Sequence, residues 1–242
     1  MTTSETTLSM AQADNLLIHQ LPKADRKRLL DRCEPYELQL STELSVRGQP
    51  LSHAYFPRSG FISLVIDVDN YPELEVGMVG REAMLGAELV LGLAKTPWRA
   101  LVQGAGLSWR IEATALRDEC NASPALRQVV QTSLLVRLHQ QTLASACERF
   151  HMIGPRLARW LLMSQDRAQA DRFHVTQEFM ALMLGVRRVG VTEAASAFQQ
   201  SGLIKYHRGE LTVLDRPALQ AQACSCYAAD RLLYAELNGV KD

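Results

Sequence analysis
The segment from Thr176 to Leu214, TQEFMALMLGVRRVGVTEAASAFQQSGLIKYHRGELTVL, leaves a chain few folds to choose from. Thr176 is a good N-cap, and Gln177 and Glu178 fall in the first turn, where the helix dipole favours negative charge. Phe179, Met180, Met183 and Leu184 recur at helical spacing. Gly185 follows at once and suits the left-handed conformation that ends a helix. Val186 then plugs the corner. A second helix is expected from about Arg187 to Gln200, burying Val191, Ala194, Ala195 and Phe198, with the small Ala181 where the two helices cross. After Gly202, Leu203 to Tyr206 reads as a strand, Arg208-Gly209 as a turn and Leu211 to Leu214 as the return strand. Helix, tight turn, helix and hairpin in that order are the layout of a winged DNA reader.

The chemistry on the outside of the second helix fits that layout. Its exposed side carries Arg187, Arg188, Val189, Thr192, Glu193 and Ser196. A recognition helix turns its N-terminal residues towards base edges in the major groove. Arg188 can bond guanine through a bidentate pair, Val189 and Thr192 can meet a thymine methyl, and Glu193 can accept from a cytosine amine. Arg187 can equally hold a phosphate. Thr176 and Gln177 open the first helix of the motif, and Lys205, His207 and Arg208 sit on the hairpin, where contacts fix register on the duplex without reading sequence. The competing reading is an ordinary pair of antiparallel helices with solvated charges.

Val175 to Phe179, Met183 to Arg188, Val191-Thr192, Ala194-Ala195, Gly202 to Ile204, Arg208-Gly209 and Leu211 to Arg216 resemble the Crp/Fnr family of bacterial transcription regulators. The nearest resemblance is to members with the run LTQEF…MLGVRR…VT…AA…GLI…RG…LTVLDR. Arg156 to Leu162 is similar to the family's helix just after its dimer helix. The resemblance implies an α+β chain: an N-terminal double-stranded β-helix (a jelly roll like that of cyclic-nucleotide-binding proteins), a long dimerisation helix, and a C-terminal winged helix-turn-helix. It also implies a homodimer on palindromic double-stranded DNA and RNA polymerase as a partner. Many members carry Arg-Glu-x-x-x-Arg on the recognition helix. Here the matching positions are Arg188, Val189 and Glu193, which argues against the common family operator.

The whole chain has formal net charge +0, which looks wrong for a DNA binder until it is divided. Residues 149–216 hold ten Lys/Arg against six Asp/Glu, an excess of four, so the remainder carries the opposite excess. Phosphate neutralisation is local, and a modest excess on one face suffices. No run of eighteen apolar residues is present, so no membrane partner is expected. Residues 1–14 are polar and Thr-rich and read as a disordered lead without a signal segment. Five cysteines at irregular spacing fit a reducing cytoplasm. Cys224 and Cys226 are the only close pair, and two cysteines without further ligands at metal spacing make a poor zinc site, so no metal is expected. Walker and G-x-S-x-G motifs are missing, and His139, His151, His174 and His207 are scattered, so no enzyme is expected.

Upstream, a helix is expected around Lys23–Leu30 after Leu21-Pro22. From Tyr36 to Glu112 the pattern turns to short runs. Phe61 to Ile66 is a strong β segment, Tyr36 to Leu40 and Leu107 to Ile111 alternate, and Gly48, Gly60, Gly77 and Gly80 break the runs. Many short strands suggest a sandwich or barrel. In the resembled family a Gly-Glu pair and an Arg-Ser pair hold a cyclic nucleotide. The matching stretches here are Gly86-Ala87-Glu88 and Pro97-Trp98-Arg99-Ala100, with the acid and the arginine each one residue late. On a strand such a shift reverses the face, which weighs against cyclic AMP, although an alignment gap would restore Arg99. An unknown small-molecule effector, no ligand at all, and a cyclic nucleotide stay open, in that order. Gly86, Glu88, Trp98 and Arg99 are the effector candidates, with Gln141 and Thr142 added from the family's sensing position.

Ser123-Pro124 starts a long helix to about Phe150, with Ser as N-cap and Pro at the first position. Leu126, Val129, Ser133, Val136, Gln140, Leu143 and Cys147 follow steps of three and four, a heptad seam. A second stripe is Leu126, Val130, Leu134 and Leu138. One stripe is expected to face a partner chain and the other to pack on the β-roll. The expected organisation is 1–14 lead, 15–122 β-roll, 123–150 dimerisation helix, 151–220 winged helix-turn-helix and 221–242 helical tail. A ligand-binding or dimeric interaction module that no longer reads DNA is the alternative function.

Overall fold
Residues 15–69 and 73–238 are described by the computed structural model. The polar lead expected over 1–14 lies outside them, as does the end of the tail. The described elements begin with α1 (Leu16–His19) and α2 (Lys23–Leu30). Seven strands follow: β1 (Glu34–Leu38), β2 (Glu43–Ser45), β3 (His53–Pro57), β4 (Phe61–Ile66), β5 (Leu74–Val79), β6 (Arg99–Gly104) and β7 (Gly106–Glu112). A single 3-10 turn covers Ala87–Leu91. Next come α3 (Ala113–Ala122), α4 (Pro124–Phe150), α5 (Ile153–Ala168), β8 (Arg172–His174), α6 (Gln177–Leu184), α7 (Arg188–Gln200), β9 (Ile204–His207), β10 (Glu210–Val213), α8 (Arg216–Gln222) and α9 (Cys226–Asn238). The strands form sheets of order β1-β7-β3, β2-β6-β4-β5 and β8-β10-β9. This is an antiparallel, jelly-roll-like β core, then long helices, then a helix-turn-helix.

The chain divides into two compact units, Met1–Ile62 with Val79–Leu134 and Ser63–Met78 with Leu135–Asp242. In the first unit, β7 lies antiparallel between β1 and β3, with Tyr36 opposite Ser108 and Phe56 opposite Trp109. Its core gathers Leu17, Ile18, Leu29, Phe56, Met84, Leu116, Leu126 and Val130. Asn15 caps α1, the first described helix, from a fully buried position. Its side-chain oxygen accepts from the Leu17 and Ile18 amides, and its amide nitrogen donates to the Pro57 and Ala83 carbonyls at 2.9 and 2.8 Å. Such full pairing is what lets a polar side chain sit in a core without a large desolvation cost.

Ser123 caps α4, its hydroxyl accepting from the Leu126 amide at 3.1 Å. Most of the heptad seam packs within the chain. Leu126, Ser133, Val136 and Cys147 are buried within this chain, and Val129, Gln140 and Leu143 are half-buried. The face left open is a third stripe, Gln128, Gln131, Leu135, Leu138, Thr142, Ser145 and Arg149, on which Leu135 and Leu138 are 52% and 63% exposed. Gly77 is a correction. It does not break a run but sits inside β5, where a Cβ would come within 3.0 Å of the Gln141 side chain. Glycine in a strand marks such a close approach.

The second unit is built on α5, which buries Leu157, Ala158, Trp160, Leu161 and Leu162 and packs against α7 and α8. One buried acid stands out there. The Ser63 hydroxyl and the Trp160 indole N–H both donate to the Glu75 carboxylate, the latter at 2.9 Å. Burial pushes its pKa up to about 7, against the pull of those two hydrogen bonds and of Arg167 and Arg159. Glu75, Arg159, Trp160 and Gln140 help line a small cavity of about 80 Å³.

That carboxylate predicts a pH slope. Unfolded, the group ionises near 4.5; folded, near 7. Between those values the unfolded state holds fewer protons, so stability falls as pH rises through the window. Glu75→Gln keeps the volume and removes the titration. Urea unfolding at several pH values across the window should show a shallower loss for the variant than for the wild type. Identical slopes would contradict the assignment.

Candidate nucleic-acid interface
The helix-turn-helix forms as its local residues dictate. The Thr176 hydroxyl accepts from the Phe179 amide at 3.0 Å, capping α6. Gly185 ends that helix in the left-handed conformation, at φ +61°. The Arg156 guanidinium donates to the Leu184 carbonyl at 2.5 Å, satisfying a helix-end acceptor. Val191, Ala195 and Phe198 are buried beneath α7, while Ala194 is only half-buried. Thr176→Ala should cost about 1 kcal/mol, the usual loss of an N-cap, read as a lower urea midpoint with an unchanged denaturant slope. An unchanged midpoint would show the cap to be dispensable.

Arg187 is the N-cap residue of α7 and Arg188 its first helical residue. Both are exposed, as are Val189 and Glu193, while Thr192 and Ser196 are half-buried. Among the described residues neither arginine makes an ion pair. The first turn of α7 holds no acid. Two cations at the positive end of a helix dipole are unfavourable for the helix itself, so the arrangement asks for an external anion. Val189 is 61% exposed, an apolar side chain left in water at the same helix tip. The Thr192 hydroxyl lies 2.8 Å from the Gln177 side-chain oxygen and 3.0 Å from the Arg188 carbonyl. Its donor is satisfied internally, which leaves its methyl group for a base.

The hairpin of β9 and β10 turns through Arg208 and Gly209, both at positive φ, 50° and 84°. Two left-handed residues in a two-residue loop match the twist of the strands they join. Lys205, His207 and Arg208 are all exposed. A third strand, β8, joins the hairpin by pairing with β10, with Glu210 opposite His174. Arg172 and His174 both bond the Glu210 carboxylate, holding its pKa below the usual range. Thr176, Gln177, Arg188, Tyr206 and Arg208 line one shallow cleft. The fold thus brings four of the expected DNA contacts together and adds Tyr206, which the sequence reading passed over as a strand residue.

The effector candidates fall in separate places. Gly86 (φ +92°) precedes the 3-10 turn that carries Ala87 and Glu88, both buried. This stretch is not a strand, so the face-reversal argument against Glu88 does not hold. Glu88 is 4% exposed, and neither carboxylate oxygen has a hydrogen-bond partner among the described residues. Trp98 precedes β6, and Arg99 begins it, 3.2 Å from Glu43. Gln141 sits against Gly77, and the exposed Thr142 donates to the Leu138 carbonyl. Cysteine arithmetic also changes in three dimensions. Cys147 and His151 join Cys224 and Cys226 in one cluster.

A jelly-roll-like core, a long helix and a winged helix-turn-helix follow one another in this order. Residues 155–222 match the Crp-like helix-turn-helix domain. FixK2 from Bradyrhizobium japonicum has the same fold, with a TM-score of 0.67 at 12% identity, over 79% of this chain and 98% of that one. The c-di-GMP responsive global regulator CLP of Xanthomonas campestris gives 0.64 at 17% identity, over 80% and 100%. A CRP/FNR-family regulator from Thermus thermophilus gives 0.64 at 18%, over 78% and 98%. No curated protein matches the chain. The chain carries a Crp-like DNA-binding domain and the fold of Crp/Fnr regulators. No described helix is long and apolar enough to cross a membrane.

Proposed function
We propose that this protein is a non-catalytic, sequence-specific transcription regulator that binds a palindromic operator as a homodimer. The observation that carries the reading is the tip of α7: Arg187, Arg188 and Val189, exposed together at a helix N-terminus whose first turn holds no acid, with neither arginine in an ion pair among the described residues. A palindrome needs two such tips about 34 Å apart, and the open Leu135/Leu138 stripe of α4 offers the surface to pair them. The β-roll receives a signal of unidentified chemistry. Glu88 supports that part, because a buried carboxylate without a partner among the described residues asks for a further donor, which a bound molecule can supply.

Gel shift of the purified full chain on its own upstream region, run across a salt series, tests the reading. Specific retardation that weakens steeply with salt is expected, since each phosphate neutralised contributes about −0.9 to the logarithmic slope. Equal binding to unrelated duplexes would leave only the dimeric-module alternative.

A further inference from the structure
Cys147 and His151 lie one helical turn apart at the C-terminal end of α4, Cys224 lies in the short link between α8 and α9, and Cys226 opens α9. Their ligand atoms all lie within 4.8 Å of one another. The Cys147 and Cys224 sulfurs are 3.5 Å apart, and the Cys226 sulfur is 3.5 Å from His151 Nδ1. The three cysteines are buried, at 2%, 8% and 4% exposure. We infer that these four residues form a structural site for one tetrahedral divalent metal ion, with zinc the fitting ion, that fastens the C-terminal tail to the end of the long helix.

The spacing decides between the chemistries that thiols offer. A tetrahedral ion with metal–sulfur bonds of about 2.3 Å holds its sulfur ligands about 3.8 Å apart. The observed separations bracket that value. A disulfide needs a sulfur–sulfur distance of about 2.05 Å, well under the one found. An iron–sulfur cluster spreads its thiolates over several irons and needs a wider cage. Three cysteines and a histidine are a known closed zinc set, and four protein ligands leave no open position for catalysis. Binding converts three thiols to thiolates and releases their protons to solvent.

The backbone is already arranged for such a clip. The His151 amide donates to the Cys147 carbonyl at 3.0 Å, which keeps the last helical turn wound and the two ligands on one side. The Cys224 amide donates to the Pro155 carbonyl at 3.3 Å, and the Tyr227 amide to the Cys224 carbonyl at 3.1 Å. Leu143 packs on the three cysteines and shields them. Cys33 and Cys120 stand outside the cluster, their pKa values pushed up to about 12 and about 11 by burial, and they serve as internal controls.

The test uses the full chain, reduced and stripped of metal, then titrated with zinc against a chromophoric chelator. Expected is about one zinc per chain, held at sub-micromolar or tighter affinity as closed sites are. Zinc should protect Cys147, Cys224 and Cys226 from alkylation and leave Cys33 and Cys120 unaffected. Cobalt in place of zinc should give the intense visible absorption of a tetrahedral thiolate site. Cys226→Ser and His151→Ala should each weaken zinc at least tenfold. The protection pattern in the wild-type chain stands even where a variant folds poorly. The inference is overturned by a reduced chain that retains no stoichiometric zinc, by a Cys147–Cys224 disulfide recovered in a metal-free protein, or by zinc held equally well in both variants.

Discussion

Replacing Arg188 by alanine is expected to abolish the preference for the operator over unrelated duplex while leaving the protein folded and dimeric. A bidentate arginine–guanine pair discriminates by about 1–3 kcal/mol. Two symmetric half-sites double that to about 2–6 kcal/mol, from roughly thirtyfold upward, because sites this far apart add. Folding should move the other way. Arg188 is the first residue of α7, with no acid in that turn, and a cation there opposes the helix dipole by about 0.3–1 kcal/mol. Alanine is also the best helix former. The thermal midpoint should therefore hold or rise as specific binding collapses. Lys205→Ala, on the exposed face of β9, is the companion measurement. It should weaken all duplexes alike and lower the salt dependence by about one phosphate per protomer. Competition gel shifts with operator and scrambled duplex separate the two. Preference retained in the Arg188 variant would remove α7 from the role of reading helix.

How far the sequence went depends on whether the relevant rule is local. Thr176, Gly185 and the Arg208-Gly209 turn are fixed by the backbone conformations of a few adjacent residues, and each does in the structure what its residue type suggests. The conflict at the start of α7 was legible for the same reason: two arginines stand where the helix favours acids, and rules broken locally tend to mark function. Strand β8 was not legible. It is three residues long and exists because β10, arriving thirty-six residues later, pairs His174 with Glu210. The cluster of three cysteines and a histidine was hidden in the same way. Cys147 and His151 have the spacing of one helical turn, but their partners Cys224 and Cys226 lie more than seventy residues away in sequence. The Glu88 misreading had another source: the face rule for strands was applied to a 3-10 turn. Periodicity on α4 named the buried stripe but could not say which chain buries it, and the structure assigns that stripe to its own chain.

The stripe left open on α4 sets the second large effect. Leu138→Glu, with Leu135→Glu as its double, should convert the proposed homodimer to a monomer, halving the mass seen by light scattering to that of the 27.0 kDa chain. Leu135 and Leu138 stand one helical step apart between Gln128/Gln131 and Thr142/Ser145, so a twofold mate would lay the same residues against them. Burying a leucine stabilises by about 1.5–3 kcal/mol relative to leaving it in water. Four such side chains meet in a symmetric pair. A glutamate at the same place forfeits that gain and sets like charges across the axis. The fold should survive, since neither residue is buried within the chain, and circular dichroism is the check. Operator binding should fall further than in the Arg188 variant, because a monomer presents one tip and loses the effective concentration of the second. A half-site duplex should then bind the monomer and the wild type about equally. An unchanged mass in the double variant would place the dimer contact elsewhere and leave the exposed leucines to another partner.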